Sequence, residues 1–304
     1  MGYSDWHVFI CDRSFLLEYH LLRTENIMEA EDEYGSILIL GASGMIGSAL
    51  QKILPHAIAM GDELDILHRE AVISCIDRLH PAIVINAPTC PNGTCRDHDT
   101  MVLRFGAAPG YVAAACKKVD AAYVHYTTGD IFDGSENGYT EDAVPCPATA
   151  FGSALLQGEQ NVMAATDDYH LIRTSWMFGP HEDDMVGRML ALSKEKGVVK
   201  EPYDQYGRPT YTLDLAVATV LVTPCDPGIY HLTNDGTCSR YEFARRFIPN
   251  VSPCSSKEYP GDGSQSGSSI LLNTKIPPLR HWKEALDEYL VIRGIQLPIR
   301  GVDP

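Results

Sequence analysis

"SILILGASGMIGSALQKILPH", Ser36 to His56, decides the fold. A short apolar run stops at a glycine, and "MIGSALQKILPH" then repeats apolar residues at helical spacing. The first pattern is a short buried strand, and the second is one face of an amphipathic helix. Between them "GASGMIG" sets Gly41, Gly44 and Gly47 three residues apart, directly after the strand and at the mouth of the helix. In that setting Gly41 permits a tight turn, Gly44 lets backbone approach a pyrophosphate, and Gly47 lets helix and strand pack closely. The phosphates would lie at the helix N-terminus, around Ser43, Met45 and Ile46, where unpaired N–H groups and the helix dipole favour negative charge.

Working outward, the same alternation continues. "AIAM", "AIVINA", "AAYVHYTT" and "YHLIRTSWMF" read as strands, and "HREAVISCIDRLH", "GYVAAACKKV" and "FGSALLQGEQNVMAAT" as the helices between them. Strands alternating with helices of this length predict βαβ units around a parallel sheet, an α/β fold of the doubly wound Rossmann type. After about Gly179 the pattern loosens. "DDMVGRMLALSKEKG", "DLAVATVLV", "SRYEFARRFI" with Ser239 as N-cap, and "HWKEALDEYLVIRG" read as helices, and "GIYHLTN" as a strand. The expected organisation is an N-terminal extension over 1–35, a dinucleotide-binding domain over 36–178, and a smaller substrate-binding lobe over 179–304 into which the chain recrosses. Met28, inside the acidic connector "TENIMEAEDEYG", is an alternative start.

An acidic residue about twenty positions beyond the turn binds adenosine ribose hydroxyls in this fold. Asp62 lies near that place, with Asp65 just after it; the alternative for Asp62 is a solvated loop carboxylate. Asn86 and Ala87, ending the third strand, complete the expected cofactor wall. No Arg or Lys follows the second strand to meet a 2′-phosphate, so NAD is favoured over NADP.

Composition narrows the partners. Lys plus Arg number 24 and Asp plus Glu 40, a formal net charge of −16. That balance argues against nucleic acid or an anionic membrane surface, because phosphate contacts need cationic side chains. No apolar run is long enough to span a bilayer, and the N-terminus lacks the basic start and small-residue cleavage site of a signal peptide. Nine cysteines are irregularly spaced, and Cys75 and Cys116 fall in apolar segments. Cys90 and Cys95 have no second pair at zinc-site spacing. A cytoplasmic, metal-free protein with reduced thiols is expected.

Several stretches resemble one family. The glycine spacing is that of the extended short-chain dehydrogenases, and "INAP" is similar to the "NAA" that ends their fourth strand. "HYTTGDIFDG" resembles the "HYSTDYVFDG" of dTDP-4-dehydrorhamnose reductases, "LIRTSWMFGP" their "RTSWVYG", and "DQYGRPTYTLDLA" their "DQxGxPTxxxDLA". The C-terminal "SILLNTKIPPLRHWKEAL" follows that family's ending. The likeness covers residues 36 to about 290.

The resemblance implies a Ser or Thr, a Tyr and a Lys as catalytic groups. Tyr protonates the carbonyl oxygen as hydride arrives, and Lys lowers the Tyr pKa and holds the nicotinamide ribose. Thr128 matches the hydroxyl position. The "YGKTKLAGE" box, however, reads "FGSALLQGE": Phe151 stands for the tyrosine and Leu155 for the lysine, while Gly152, Leu156, Gly158 and Glu159 are kept. The acidic "TxVDxxE" becomes "TCPNGTCRDHD", the "LN" of the next helix becomes Leu103 and Arg104, and the "RPxxS" arginine is missing from "GSQSGSS". Trp176 and the loop with Gln205, Arg208 and Thr210 survive as expected substrate contacts. The alternatives are that Trp176 fills a seam between lobes and that the loop is a turn set by Gly207 and Pro209.

Two functional readings follow. One is a silent or atypical family member that binds a dinucleotide or a nucleotide sugar, alone, as a homodimer, or as a partner subunit of another enzyme, a role this fold takes in the regulatory β subunit of methionine adenosyltransferase. The other is a working oxidoreductase, or a non-redox enzyme, that acts on a nucleotide sugar or other small metabolite with a different proton donor. The donors to consider are Thr128 itself, His125, Tyr126, Tyr139 and Cys90. A purely structural protein would have no use for all three glycines of the turn.

Overall fold

A computed structural model describes residues 36–89, 97–182, 184–259, 268 and 270–295. The extension over 1–35, Cys90 and most of the "GSQSGSS" loop lie outside the described residues.

Six parallel strands make the main sheet. In chain order the first lobe runs β1 (Ile37–Leu40), α1 (Met45–Ile53), β2 (Ile58–Met60), α2 (Arg69–Leu79) and β3 (Ile83–Asn86). It continues with α3 (His98–Met101), a π-helical turn (Val102–Ala107), α4 (Ala108–Lys118), β4 (Ala122–Thr128), α5 (Ala150–Ala165) and β5 (Tyr169–Thr174). The second lobe is built from β6 (Met177–Phe178), α6 (Met185–Lys196), β7 (Val199–Pro202), β8 (Tyr206–Gly207) and β9 (Thr210–Tyr211). After these come α7 (Thr212–Val222), β10 (Gly228–His231), β11 (Cys238–Ser239), α8 (Arg240–Ala244), β12 (Val251–Cys254) and α9 (Trp282–Ile292).

The main-sheet order is β10-β5-β4-β3-β1-β2. The chain leaves β1 in one direction to β2, then returns across it to β3. The strand order therefore reverses between β1 and β3, and ligands of doubly wound sheets bind in the crevice beyond such a reversal.

Alternation along β1 shows why the sheet is covered on both faces. Ile37 and Ile39 enter one apolar layer with Ile46, Leu50 and Ile53 of α1 and with Leu215 and Val222 of α7. Leu38 and Leu40 point the other way, into a layer with Val72 and Ile76 of α2 and Val112 and Cys116 of α4. All four β1 side chains are buried, as strands sandwiched between helices require.

The chain recrosses. Helix α7 packs on α1, and β10 pairs in parallel with β5, so 212–231 lie in the first lobe although they follow the 178/179 division in sequence. The second lobe has its own aromatic core of Phe178, Tyr211, Phe243, Trp282 and Tyr289. Ser239 caps α8 with a reciprocal bond to Glu242.

"YHLIRTSWMF" is not one strand. Trp176 adopts φ +40, a left-handed conformation unusual for a bulky residue. There the chain leaves the main sheet, and Met177–Phe178 pair with Thr210–Tyr211 instead. No helix among the described residues is long and apolar enough to cross a membrane, and the six described cysteines are free.

Candidate functional site

The glycine turn sits at the strand reversal. Gly41 has φ +75, and a Cβ there would lie 2.1 Å from the Ala87 carbonyl oxygen. A Cβ on Gly44 would lie 2.1 Å from the Thr89 methyl, and one on Gly47 2.3 Å from the Gly41 carbonyl oxygen. The turn after β1 is thus pressed onto the chain leaving β3. At Gly44 the close neighbour is a side chain of the same fold, where the sequence had suggested room for a pyrophosphate. No side chain caps the N-terminus of α1, so the first-turn N–H groups, including those of Met45 and Ile46, keep their capacity for an anion. Ile46 itself is buried, so any part it has in binding is through its backbone. The Ser43 hydroxyl donates to Asp62 at 2.7 Å.

A cavity of about 230 Å³ opens beside this turn, lined by Gly41, Asp62, Asp65, Asn86, Thr89 and Arg104 among others. Arg104 comes from the π-helical turn, a distortion often found at functional sites, and reaches both Asp65 oxygens at 2.9 and 3.0 Å. Burial opposes ionisation of Asp65, but the Leu67 N–H and the Arg104 guanidinium outweigh it and hold its carboxyl below the usual range. Arg104 is the one cation lining this cavity among the described residues. Asn86 is buried; its amide donates to the Tyr123 hydroxyl at 2.8 Å and meets His125 Nδ1 at 3.1 Å. Ala87 does not line the cavity; it is buried, with its N–H bonded to the Leu40 carbonyl and its own carbonyl against Gly41.

At the end of β4, Thr128 caps a 3₁₀ turn (Gly129–Ile131), and its hydroxyl donates to Asp130 Oδ2 at 2.6 Å. Burial raises the Asp130 carboxyl above its ordinary pKa, although the Thr128 bond opposes this. Helix α5 lies directly over that turn: a Cβ on Gly152 would be 2.0 Å from the Asp130 carbonyl oxygen, and one on Gly158 2.1 Å from that of Phe105. The glycines kept in the box therefore serve helix packing. Glu159 has a structural partner as well, a buried bidentate pair with Arg173 at 2.7 and 2.9 Å, and it accepts from Thr127 at 2.6 Å. Phe151 rests edge-on against Phe105. Leu155 is 2% exposed in an apolar cluster with Phe105, Ile131, Phe132, Tyr139 and Leu271.

Among the described residues, His125, Tyr126 and Tyr139 each have their polar groups engaged or enclosed elsewhere, and Cys90 lies outside the described residues. His125 is fully buried, its pKa pushed down to about 3 by burial. Tyr126 turns to the opposite face and bonds Thr219 at 2.7 Å. Tyr139 stacks on Phe132 and donates to Asp133.

The second lobe faces the turn. His181 Nε2 lies 3.0 Å from the Ser43 carbonyl oxygen, joining the lobes across the cleft mouth. Trp176 is half-buried, with Gly207 against its ring and the Arg240 guanidinium 5.9 Å from the ring centroid. Gln205 Oε1 and Arg208 Nε are buried and find no hydrogen-bond partner among the described residues, which leaves them with unused polar capacity. Thr210 departs from the expected contact: it is fully buried, and its hydroxyl donates to the Arg208 carbonyl. No cluster of three His, Cys, Asp or Glu side chains suited to a metal ion occurs among the described residues.

A parallel doubly wound sheet, a glycine turn at its strand reversal and a second lobe over that turn define the extended short-chain dehydrogenase/reductase class. Within it, the family described as "RmlD substrate binding domain" matches residues 35–293, and the chain belongs to that family. The spore coat polysaccharide biosynthesis protein SpsK of Bacillus subtilis is 32% identical over 276 residues, 85% of this chain and 98% of that protein. A crystal structure of a dTDP-4-dehydrorhamnose reductase from Clostridium acetobutylicum aligns with a TM-score of 0.79 at 31% identity, covering 86% of this chain and 100% of that one. The Bacillus anthracis dTDP-4-dehydrorhamnose reductase, solved in complex with NADP, aligns with a TM-score of 0.78 at 26% identity, covering 84% and 99%.

Proposed function

We propose that this protein is an atypical member of its family: it holds a nicotinamide dinucleotide and a nucleotide-sugar-like ligand in the cytoplasm, without the Tyr–Lys pair on which the reductases rely. The packing of Phe151 on Phe105 and of Leu155 in an apolar cluster carries this reading. Leu155 lies inside an apolar cluster and Phe151 packs half-buried against it, while the turn that would receive the cofactor is kept.

Its residues fit the group. The uncapped start of α1 offers N–H groups to a diphosphate, and the adjoining cavity carries Asp62 where ribose hydroxyls are bound in this fold. That cavity is smaller than the roughly 300–1,000 Å³ pockets that enclose drug-sized ligands, so it would take part of the dinucleotide and leave the remainder along the cleft. A carboxylate at Asp62 disfavours a 2′-phosphate and favours NAD; Arg104 is the one feature of the wall that acts in the opposite direction. Trp176, Gln205 and Arg208 would receive the second ligand. When bound, a reduced nicotinamide supplies hydride; the chain's part is to orient the carbonyl and hold a proton near Thr128.

Calorimetric titration of the cofactor-loaded protein with dTDP and UDP tests the second ligand. Saturable binding that weakens in Trp176→Ala supports the reading, and binding of neither nucleotide overturns it.

A further inference from the structure

We propose that Asp130, acting through the Thr128 hydroxyl, delivers the proton that the absent Tyr–Lys pair delivers in the reductases. The inference rests on the reading that the chain binds a nicotinamide dinucleotide and a carbonyl ligand, and it names the group that completes the reaction.

Three observations converge. Thr128 stands at the end of β4, where the family keeps its catalytic hydroxyl, and it is half-buried where His125, Tyr126 and Thr127 of the same strand are sealed inside. Its oxygen lies 2.6 Å from Asp130 Oδ2, a short contact between two groups that can each donate or accept. Helix α5 packs directly on the turn that carries Asp130, with Gly152, next to Phe151 in sequence, against the Asp130 backbone carbonyl. The stretch "TTGDIF" accordingly puts an acid where the quoted family stretch "STDYVF" has a tyrosine.

The surroundings keep that acid able to hold its proton. No ion pair reaches Asp130 among the described residues, and the first turn of α5 carries no acidic residue. The neighbouring Asp133 turns away to Ser135 and Tyr139. Burial raises the carboxyl's pKa, although the Thr128 bond opposes it.

The step balances. A reduced nicotinamide dinucleotide, when bound, would be the reductant and would supply hydride to the ligand's carbonyl carbon. The C=O π bond breaks, and its electrons form a new O–H bond with the Thr128 proton. Thr128 Oγ takes the Asp130 proton in the same movement, and Asp130 is left as carboxylate until solvent reprotonates it. The carbonyl is reduced to an alcohol and the nicotinamide is oxidised. Thr128 is the catalytic residue and Asp130 the residue that positions and recharges it.

The test uses the full chain, NADH, and a dTDP-4-keto-6-deoxy sugar in single-turnover absorbance measurements across pH, with NADH binding followed separately by fluorescence. Carboxyl ¹³C NMR, assigned by Asp130→Asn, reports protonation independently of turnover. The expected results are an Asp130 pKa above the ordinary value of about 3.9, and hydride transfer that falls on the order of 10²-fold in Asp130→Asn with loss of its pH dependence. NADH binding should be unchanged in that variant, and Asp130→Glu should recover part of the rate. Equal rates and pH profiles in wild type and Asp130→Asn would overturn the relay. So would a wild type that binds NADH yet transfers no hydride at any pH, a result that leaves the cofactor reading standing. Failure to bind NADH at all removes the reading beneath it.

Discussion

Phe151 and Phe105 meet edge to face, ring centroids 5.1 Å apart and planes at 86°. This contact joins the start of α5 to the π-helical turn, at the position that the family resemblance assigns to the reductases' tyrosine. An aromatic pair of this geometry contributes roughly 0.5–1.5 kcal/mol beyond its buried area. Because Phe151 is half-buried, Phe151→Tyr should fold normally. Without a neighbouring cation to lower its pKa, the new phenol should change single-turnover hydride transfer by no more than a few-fold.

Leu155→Lys should behave differently. Leu155 is 2% exposed among apolar side chains, and an ammonium placed there has no carboxylate to pair with in that cluster. The cost should be roughly 3–5 kcal/mol, comparable to an uncompensated buried charge, read as a lower midpoint in urea unfolding. Burial lowers the pKa of such a lysine. The penalty should therefore shrink as pH rises towards the unfolded value of about 10.4, where the unfolded chain also releases its proton.

How far the sequence could lead depended on whether a feature was local. The strand–turn–helix of 36–56, the alternating βα units and the Ser239 cap are set by neighbours in sequence and were legible there. The expectation that Phe151 and Leu155 stand for Tyr and Lys rests on resemblance alone, and the acid at Asp130 is spelled out in the same quoted stretch, although its contact with Thr128 is not. Arg104 pairs with Asp65, 39 residues away, and Glu159 with Arg173 across two elements; spacing carries no signal for either. The glycines kept in the box give no hint in sequence of their role, whereas the contacts of Gly152 with Asp130 and of Gly158 with Phe105 show that helix packing accounts for them. The break at Trp176 was hidden because the residues on both sides have the apolar pattern of one continuous strand.

The Arg104–Asp65 pair predicts a charge effect on binding. Arg104→Leu removes the cation lining the cavity and should weaken NADH binding several-fold by calorimetry, since the dinucleotide is itself an anion. Stability should fall by about 1 kcal/mol, modest because Asp65 is partly exposed. Asp65 has a lowered pKa in the fold, so its contribution is present above the unfolded value of about 3.9 and lost as pH falls through the folded value. The difference between wild type and variant should close over that acid window in thermal unfolding.

The Glu159–Arg173 pair ties α5 to β5 beneath Thr128, with Thr127 as a third member. Arg173→Met leaves a fully buried carboxylate unpaired and should cost roughly 3–5 kcal/mol in chemical denaturation. Adding Glu159→Gln should recover most of that loss, because the charge that needed a partner is gone.

On the proposed reading, the glycine turn receives a nicotinamide dinucleotide although Phe151 and Leu155 stand where the reductases have Tyr and Lys. Calorimetric titration of the full chain with NADH and with NADPH tests it most directly. Saturable binding at one site per chain is expected, tighter for NADH, and weakened when a side chain is placed in the turn by Gly44→Val. Absence of heat and of any thermal shift with both dinucleotides would contradict it.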